Sequence, residues 1–158
     1  MNMKIAAIIA AVAIPNMASA VSVTGNASVQ IQTAITASQT QQMNFGTVAP
    51  AATAGVVTLT PAGQTSSPTL ATYGTPAAGQ FTITAQPSTA LNVTFADGTV
   101  TNGANTMTVD TFTSTSTPAS NTTDASGNLA LNVGANLNVG ANQAAGTYNG
   151  NYTVTVNY

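Results

Sequence analysis

From Val21 to Tyr158 the chain alternates apolar and polar residues with a period of two. No stretch holds the three-to-four spacing of an amphipathic helix. Successive side chains of a strand point to opposite faces, so this pattern commits the chain to β structure. The last strand shows it most clearly. Gly146, Tyr148, Gly150, Tyr152, Val154, Val156 and Tyr158 fall on one face, and Thr147, Asn149, Asn151, Thr153, Thr155 and Asn157 on the other. A flat strand edge left open pairs with whatever strand it meets. The edge of this strand is therefore expected to be covered by an earlier strand or by another chain.

The front of this region alternates in the same way. Val21, Val23, Gly25, Ala27, Val29 and Ile31 share one face, opposite Ser22, Thr24, Asn26, Ser28 and Gln30. A second segment leads into Met43–Pro50, where Met43-Asn-Phe-Gly46 reads as a core anchor followed by a turn. Further strands are expected at 55–60, 70–73, 79–85, 89–95, 105–112 and 128–139. Turn signals separate them at Pro61–Gly63, Gly74–Pro76, Asp97-Gly98, Asn102-Gly103, Ser126-Gly127 and Gly140–Gly146. Residues 114–127 read as an exposed polar loop. Short strands at this spacing predict an antiparallel β-sandwich. Within 131–142 the hexapeptide Leu-Asn-Val-Gly-Ala-Asn occurs twice. Two copies are too few for a stacked solenoid, and a strand bent or bulged at Gly134 is expected.

Composition removes most chemistry. The first 20 residues have the form of a secretory signal: Lys4, an apolar run from Ile5 to Ile14, and Ala18-Ser19-Ala20 at the cleavage site. That apolar run is too short to span a bilayer, and no membrane insertion is expected after cleavage. Lys4 is the only Lys or Arg, the acids are Asp97, Asp110 and Asp124, and His, Cys and Trp are absent. A Ser or Thr nucleophile would have no base beside it, and no paired carboxylates stand out. No catalytic residue, metal site or cofactor is expected. No basic patch exists to hold nucleic acid. The four Asn-x-Ser/Thr triplets, starting at Asn26, Asn92, Asn121 and Asn151, are what a chain this rich in Asn and Thr gives by chance.

The alternating front segment, the Met43–Val48 motif and the closing Ala145–Tyr158 strand together resemble pilins of chaperone–usher fimbriae. The chain is most similar to a cysteine-free, Thr-rich pilin-like family related to spore-coat-U-type subunits. The resemblance implies an incomplete immunoglobulin-like antiparallel β-sandwich with an N-terminal donor strand. It implies a division into a signal at 1–20, a donor extension at 21–32 and a sandwich domain at 33–158. Val21, Val23, Gly25, Ala27, Val29 and Ile31 would be the donor residues. Gly146, Tyr148, Tyr152, Val154, Val156 and Tyr158 would face first a chaperone and then the donor strand of the next subunit. Gly146 and Tyr158 keep the family's twelve-residue gap, with the tyrosine last rather than penultimate.

The expected function is that of a structural subunit of an extracellular surface filament. Its partners would be identical or homologous pilins joined head to tail, a periplasmic chaperone and an outer-membrane usher. The alternative is a self-contained secreted β-sandwich whose Thr-rich faces bind carbohydrate or ice.

Overall fold

The computed structural model describes residues 20–158. The expected signal at 1–20 thus lies outside the described residues, except for Ala20. Ten strands and no helix occur among the described residues: β1 (Thr36–Gln41), β2 (Thr47–Val48), β3 (Gly55–Leu59), β4 (Thr65–Ser66), β5 (Thr72–Tyr73), β6 (Gly79–Thr84), β7 (Asn92–Asn102), β8 (Asn105–Thr117), β9 (Asn128–Val139) and β10 (Asn149–Asn157). Every pairing is antiparallel. The main sheet follows the order β1-β6-β9-β8-β7-β10, with β3 on β9 and β4 on β3, while β2 and β5 form a small second sheet. The fold is all-β and sandwich-like, as the alternation predicts. The compact unit is Gln32–Tyr158.

The first nine residues of the hexapeptide repeat, up to Val139, lie in β9, a single strand that changes partners. Its first half pairs with β6 from Asn128 to Val133, and its second half with β3 from Ala135 to Val139. Gly134 marks the change. A Cβ there would overlap the Leu59 carbonyl oxygen and lie 2.9 Å from the Pro61 nitrogen, so only glycine lets the end of β3 come this close. On its other edge β9 pairs with β8 throughout, and β8 absorbs the bend. Between the Asp110↔Asn136 and Thr113↔Gly134 pairs, β8 spends one residue more than β9. This bulge puts Thr111 at φ 49°, a rare conformation for a β-branched residue. It also places Phe112 against both core clusters. There Phe112 stacks at 5.4 Å on Phe95 and lies 5.2 Å from Tyr152.

Two cores result. Val57, Leu70, Val109, Ala135, Leu137 and Val139 form one, and Ile83, Ala85, Leu91, Leu129, Leu131 and Val133 the other. Met43 and Phe112 touch both. Met43 thus serves as the anchor expected of it. The turn follows, because the Asn44 side chain accepts a hydrogen bond from the Gly46 amide at 2.8 Å.

Two expectations are corrected. Asp97-Gly98 is not a turn. It is the bulge at which β7 gains a residue on β10, and the strand runs on to the real hairpin, where Asn102 pairs with Asn105 around Gly103-Ala104. Gly103, at φ 60°, takes the first loop position that two-residue hairpins reserve for glycine. Residues 114–127 are a loop only from Pro118 on, exposed at 118–120 and 125–126. Ser114 to Thr117 continue β8. Beyond them Thr123 is buried, its hydroxyl donating to the Gln86 carbonyl at 2.6 Å and accepting from the Thr89 amide at 2.9 Å.

Candidate functional site

β1 and β10 are the two ends of the strand path. β1 is paired on one edge with β6, and β10 on one edge with β7; the second edge of each has no strand partner among the described residues. Both border one groove of about 1190 Å³. β1 contributes Ala37, Gln39 and Gln41, while β10 contributes Gly150, Tyr152, Val154 and Val156. Phe81, Ile83, Val100, Met107, Val109, Leu137 and Val139 line it from the strands between. The sheet therefore curls until its two open edges border the same depression. Five antiparallel steps separate the edges, so β1 and β10 run antiparallel to each other. A single strand laid between them must run parallel to one and antiparallel to the other.

The lining carries no charged residue. What it offers is two rows of main-chain donors and acceptors above an apolar floor. Tyr152 is the largest side chain among its β10 residues. Its hydroxyl is buried without a hydrogen-bond partner and lies where a Cβ on Gly79 would stand. Burial without a partner pushes this phenol up to about 12. Phe81 meets the ring edge-on, with centroids 6.2 Å apart.

One end of the groove is bridged. The Tyr158 hydroxyl donates to the Thr33 carbonyl and accepts from the Gln86 amide at 3.0 Å. The Thr33 amide and hydroxyl in turn donate to the Gln86 side-chain oxygen at 3.3 and 3.1 Å. These bonds join the lead-in to β1, the exit of β6 and the end of β10. At the other end lies the loop before β10. There the Gln143 side chain donates to the Tyr148 hydroxyl, which donates to the Ala144 carbonyl, both at 2.8 Å.

Five of the six residues expected on the acceptor strand, Gly146, Tyr148, Tyr152, Val154 and Val156, line this groove. Gly146 and Tyr148 do so from the loop, because β10 begins only at Asn149. Tyr158 is not in the lining and instead forms the bridge. The expected donor residues Val21, Val23, Gly25, Ala27, Val29 and Ile31 lie in no strand. Val21, Val23, Val29 and Ile31 are 83, 87, 86 and 88% exposed, and nothing lies within 4 Å of a Cβ built on Gly25. Sequence reasoning did not find the β1 rim or the floor. The rim has no hydrophobic alternation to show, and the floor is assembled from strands far apart in the chain.

Among known proteins, a family model described as a domain of unknown function, DUF4402, matches residues 35–158. Neither the curated proteins nor the solved structures contain a match.

Proposed function

Since the chain belongs to the DUF4402 family of unknown function, its role must be argued from the groove, and we propose that it is the structural subunit of a secreted surface filament assembled by donor-strand exchange. The observation that carries this reading is the groove itself: an uncharged channel with an apolar floor between two unpaired strand edges. The chain also holds a segment of the right chemistry, Val21 to Ile31, apolar on alternate residues and exposed. Inserted into the groove of a second copy, it would complete the ladder on both edges by β-augmentation. Main-chain bonds then give affinity, and the alternate side chains give register.

Apolar burial supplies a driving force. Burying Val21, Val23, Val29 and Ile31 contributes about 1.5–2 kcal/mol each before ordering costs. Ladder hydrogen bonds add to this. Donor and acceptor are different surfaces, so the contact is head-to-tail and builds an open filament rather than a closed dimer. Before assembly the same groove would need a temporary occupant, the role of a periplasmic chaperone, and an outer-membrane usher would exchange that strand for the next subunit's. The filament would be displayed at the cell surface.

The test is to delete residues 21–32. Such a chain is expected to fold and to accept a donor, yet to offer none. Added to full-length chain it should cap growing ends and shorten the filaments. If the shortened chain polymerises as well as the full one, the proposal fails. A self-contained binding module would lose nothing measurable by the deletion and would not polymerise before it.

A further inference from the structure

We propose that the Tyr158–Thr33–Gln86 bridge is an end stop that fixes both the depth and the direction in which a second copy's Val21–Ile31 strand enters the groove. The inference rests on the donor-strand reading above and adds to it the residue that limits insertion.

The geometry is asymmetric along the groove. At the β10 C-terminus, the Tyr158 side chain reaches from one open edge to the lead-in of the other, and hydrogen bonds hold it there. Thr33 and Gln86 are themselves bonded to each other beside the β1–β6 pairing, so the crossing from β10 is made by the Tyr158 hydroxyl, which holds both of them. At the opposite end, among the described residues, no hydrogen bond ties the loop 140–148 to β1. A strand moving along the groove therefore has an open mouth beside Tyr148 and a closed end at Tyr158.

The incoming segment is asymmetric too. Its Ile31 end leads within one residue into the compact unit of its own copy, Gln32–Tyr158. That body cannot pass a closed end, so the Ile31 end stays at the mouth and the Val21 end advances to the stop. The inserted strand then runs antiparallel to β10 and parallel to β1. Val21 sits near Val156, and Ile31 near the loop that carries Tyr148. The bridge also explains a tyrosine at this place. Its ring is long enough to cross between the edges, and its hydroxyl can donate to one segment while accepting from another.

The experiment uses full-length chain, kept dilute and unpolymerised, and a synthetic peptide with the sequence of Val21–Ile31. The peptide carries fluorescein either on its Val21 amine or at its Ile31 carboxyl end, and the unlabelled peptide serves as competitor. The Ile31-labelled peptide should bind as tightly as the unlabelled one. The Val21-labelled peptide should bind at least about tenfold more weakly, because the dye meets the stop. Tyr158→Ala should bring the two labelled peptides to near equality. Should that variant fail to fold, Tyr158→Phe, which keeps the ring but breaks both of its hydrogen bonds, should narrow the gap instead. Equal binding of both labelled peptides to the unaltered chain would overturn the stop, as would a gap unchanged in the Tyr158 variants. If the unlabelled peptide does not bind at all, it is the donor-strand reading that falls.

Discussion

Two side chains show where local physics was overruled by packing. Thr111 holds φ at 49°, where its branched Cβ crowds the backbone. It stays there because the bulge directs Phe112 into both cores. Glycine meets no such penalty, so Thr111→Gly should raise the free energy of unfolding by about 1 kcal/mol, measured in urea. Tyr152 is the second case. Its buried hydroxyl has no partner, and its folded pKa lies near 12 against an ordinary value of 10.0. A raised folded value means that the neutral form is preferred in the folded state. The associated stability is complete below pH 10 and is lost as pH rises towards 12. Tyr152→Phe removes both the orphan hydroxyl and the titration. It should gain about 1 kcal/mol at neutral pH and flatten the fall in stability between pH 10 and 12, read from thermal melts across that range.

At the scale of strands, β9 is the hinge of the design, since it serves β6 with one half and β3 with the other. Gly134→Ala would push a methyl group into the Leu59 carbonyl. The expected cost is about 1–3 kcal/mol in equilibrium unfolding, and an unchanged midpoint would mean that the close approach is not real. The change at Gly134 was legible in the sequence, because a glycine inside a long alternating strand marks a bend, a bulge or a close backbone approach. The long strands were legible for the same reason that they form, one apolar and one polar face. Where the reading missed, the physics was ambiguous. Asp-Gly serves a bulge as readily as a turn, and at 97–98 only the pairing of β10 on β7 decides. The end of β8 puts Ser114 and Ser116 on its inner face, where Ser116 accepts the Asn121 amide at 2.9 Å, and hydropathy cannot see such a strand. β1 is exposed along its whole length, so no alternation announces it. Its inner residues Ala37, Gln39 and Gln41 border the groove that the donor-strand reading fills from another copy.

For the whole molecule, the consequence of composition is an assembly with almost no electrostatics. Beyond the first 20 residues the chain carries three acids and no Lys or Arg, and none of the acids lines the groove. Contacts made of apolar burial and main-chain ladders are not screened by ions. Filaments should keep their length from low salt to about 1 M sodium chloride at neutral pH, followed by light scattering or electron microscopy. Dissolution in moderate salt would contradict this. One acid does have a shifted titration. Asp124 is held below the usual carboxylate range, chiefly by the Asn128 amide, which outweighs an opposing effect of desolvation with further help from Ser126. Because its folded value is depressed, that turn keeps its stability above pH 4 and loses it only as pH falls through the lowered value. It lies outside the groove, so acid should loosen the turn before it loosens the assembly.

The central claim is that the space between β1 and β10 is completed by residues 21–31 of a neighbouring copy. Hydrogen exchange, read by mass spectrometry on dispersed chain and on assembled filament, tests it most directly. Amides of β1, β10 and residues 21–31 should exchange quickly in the dispersed chain, apart from those already bonded to β6 or β7, and all three segments should become protected together on assembly. Filaments in which residues 21–31 still exchange freely, or in which β10 gains no protection, would contradict the account.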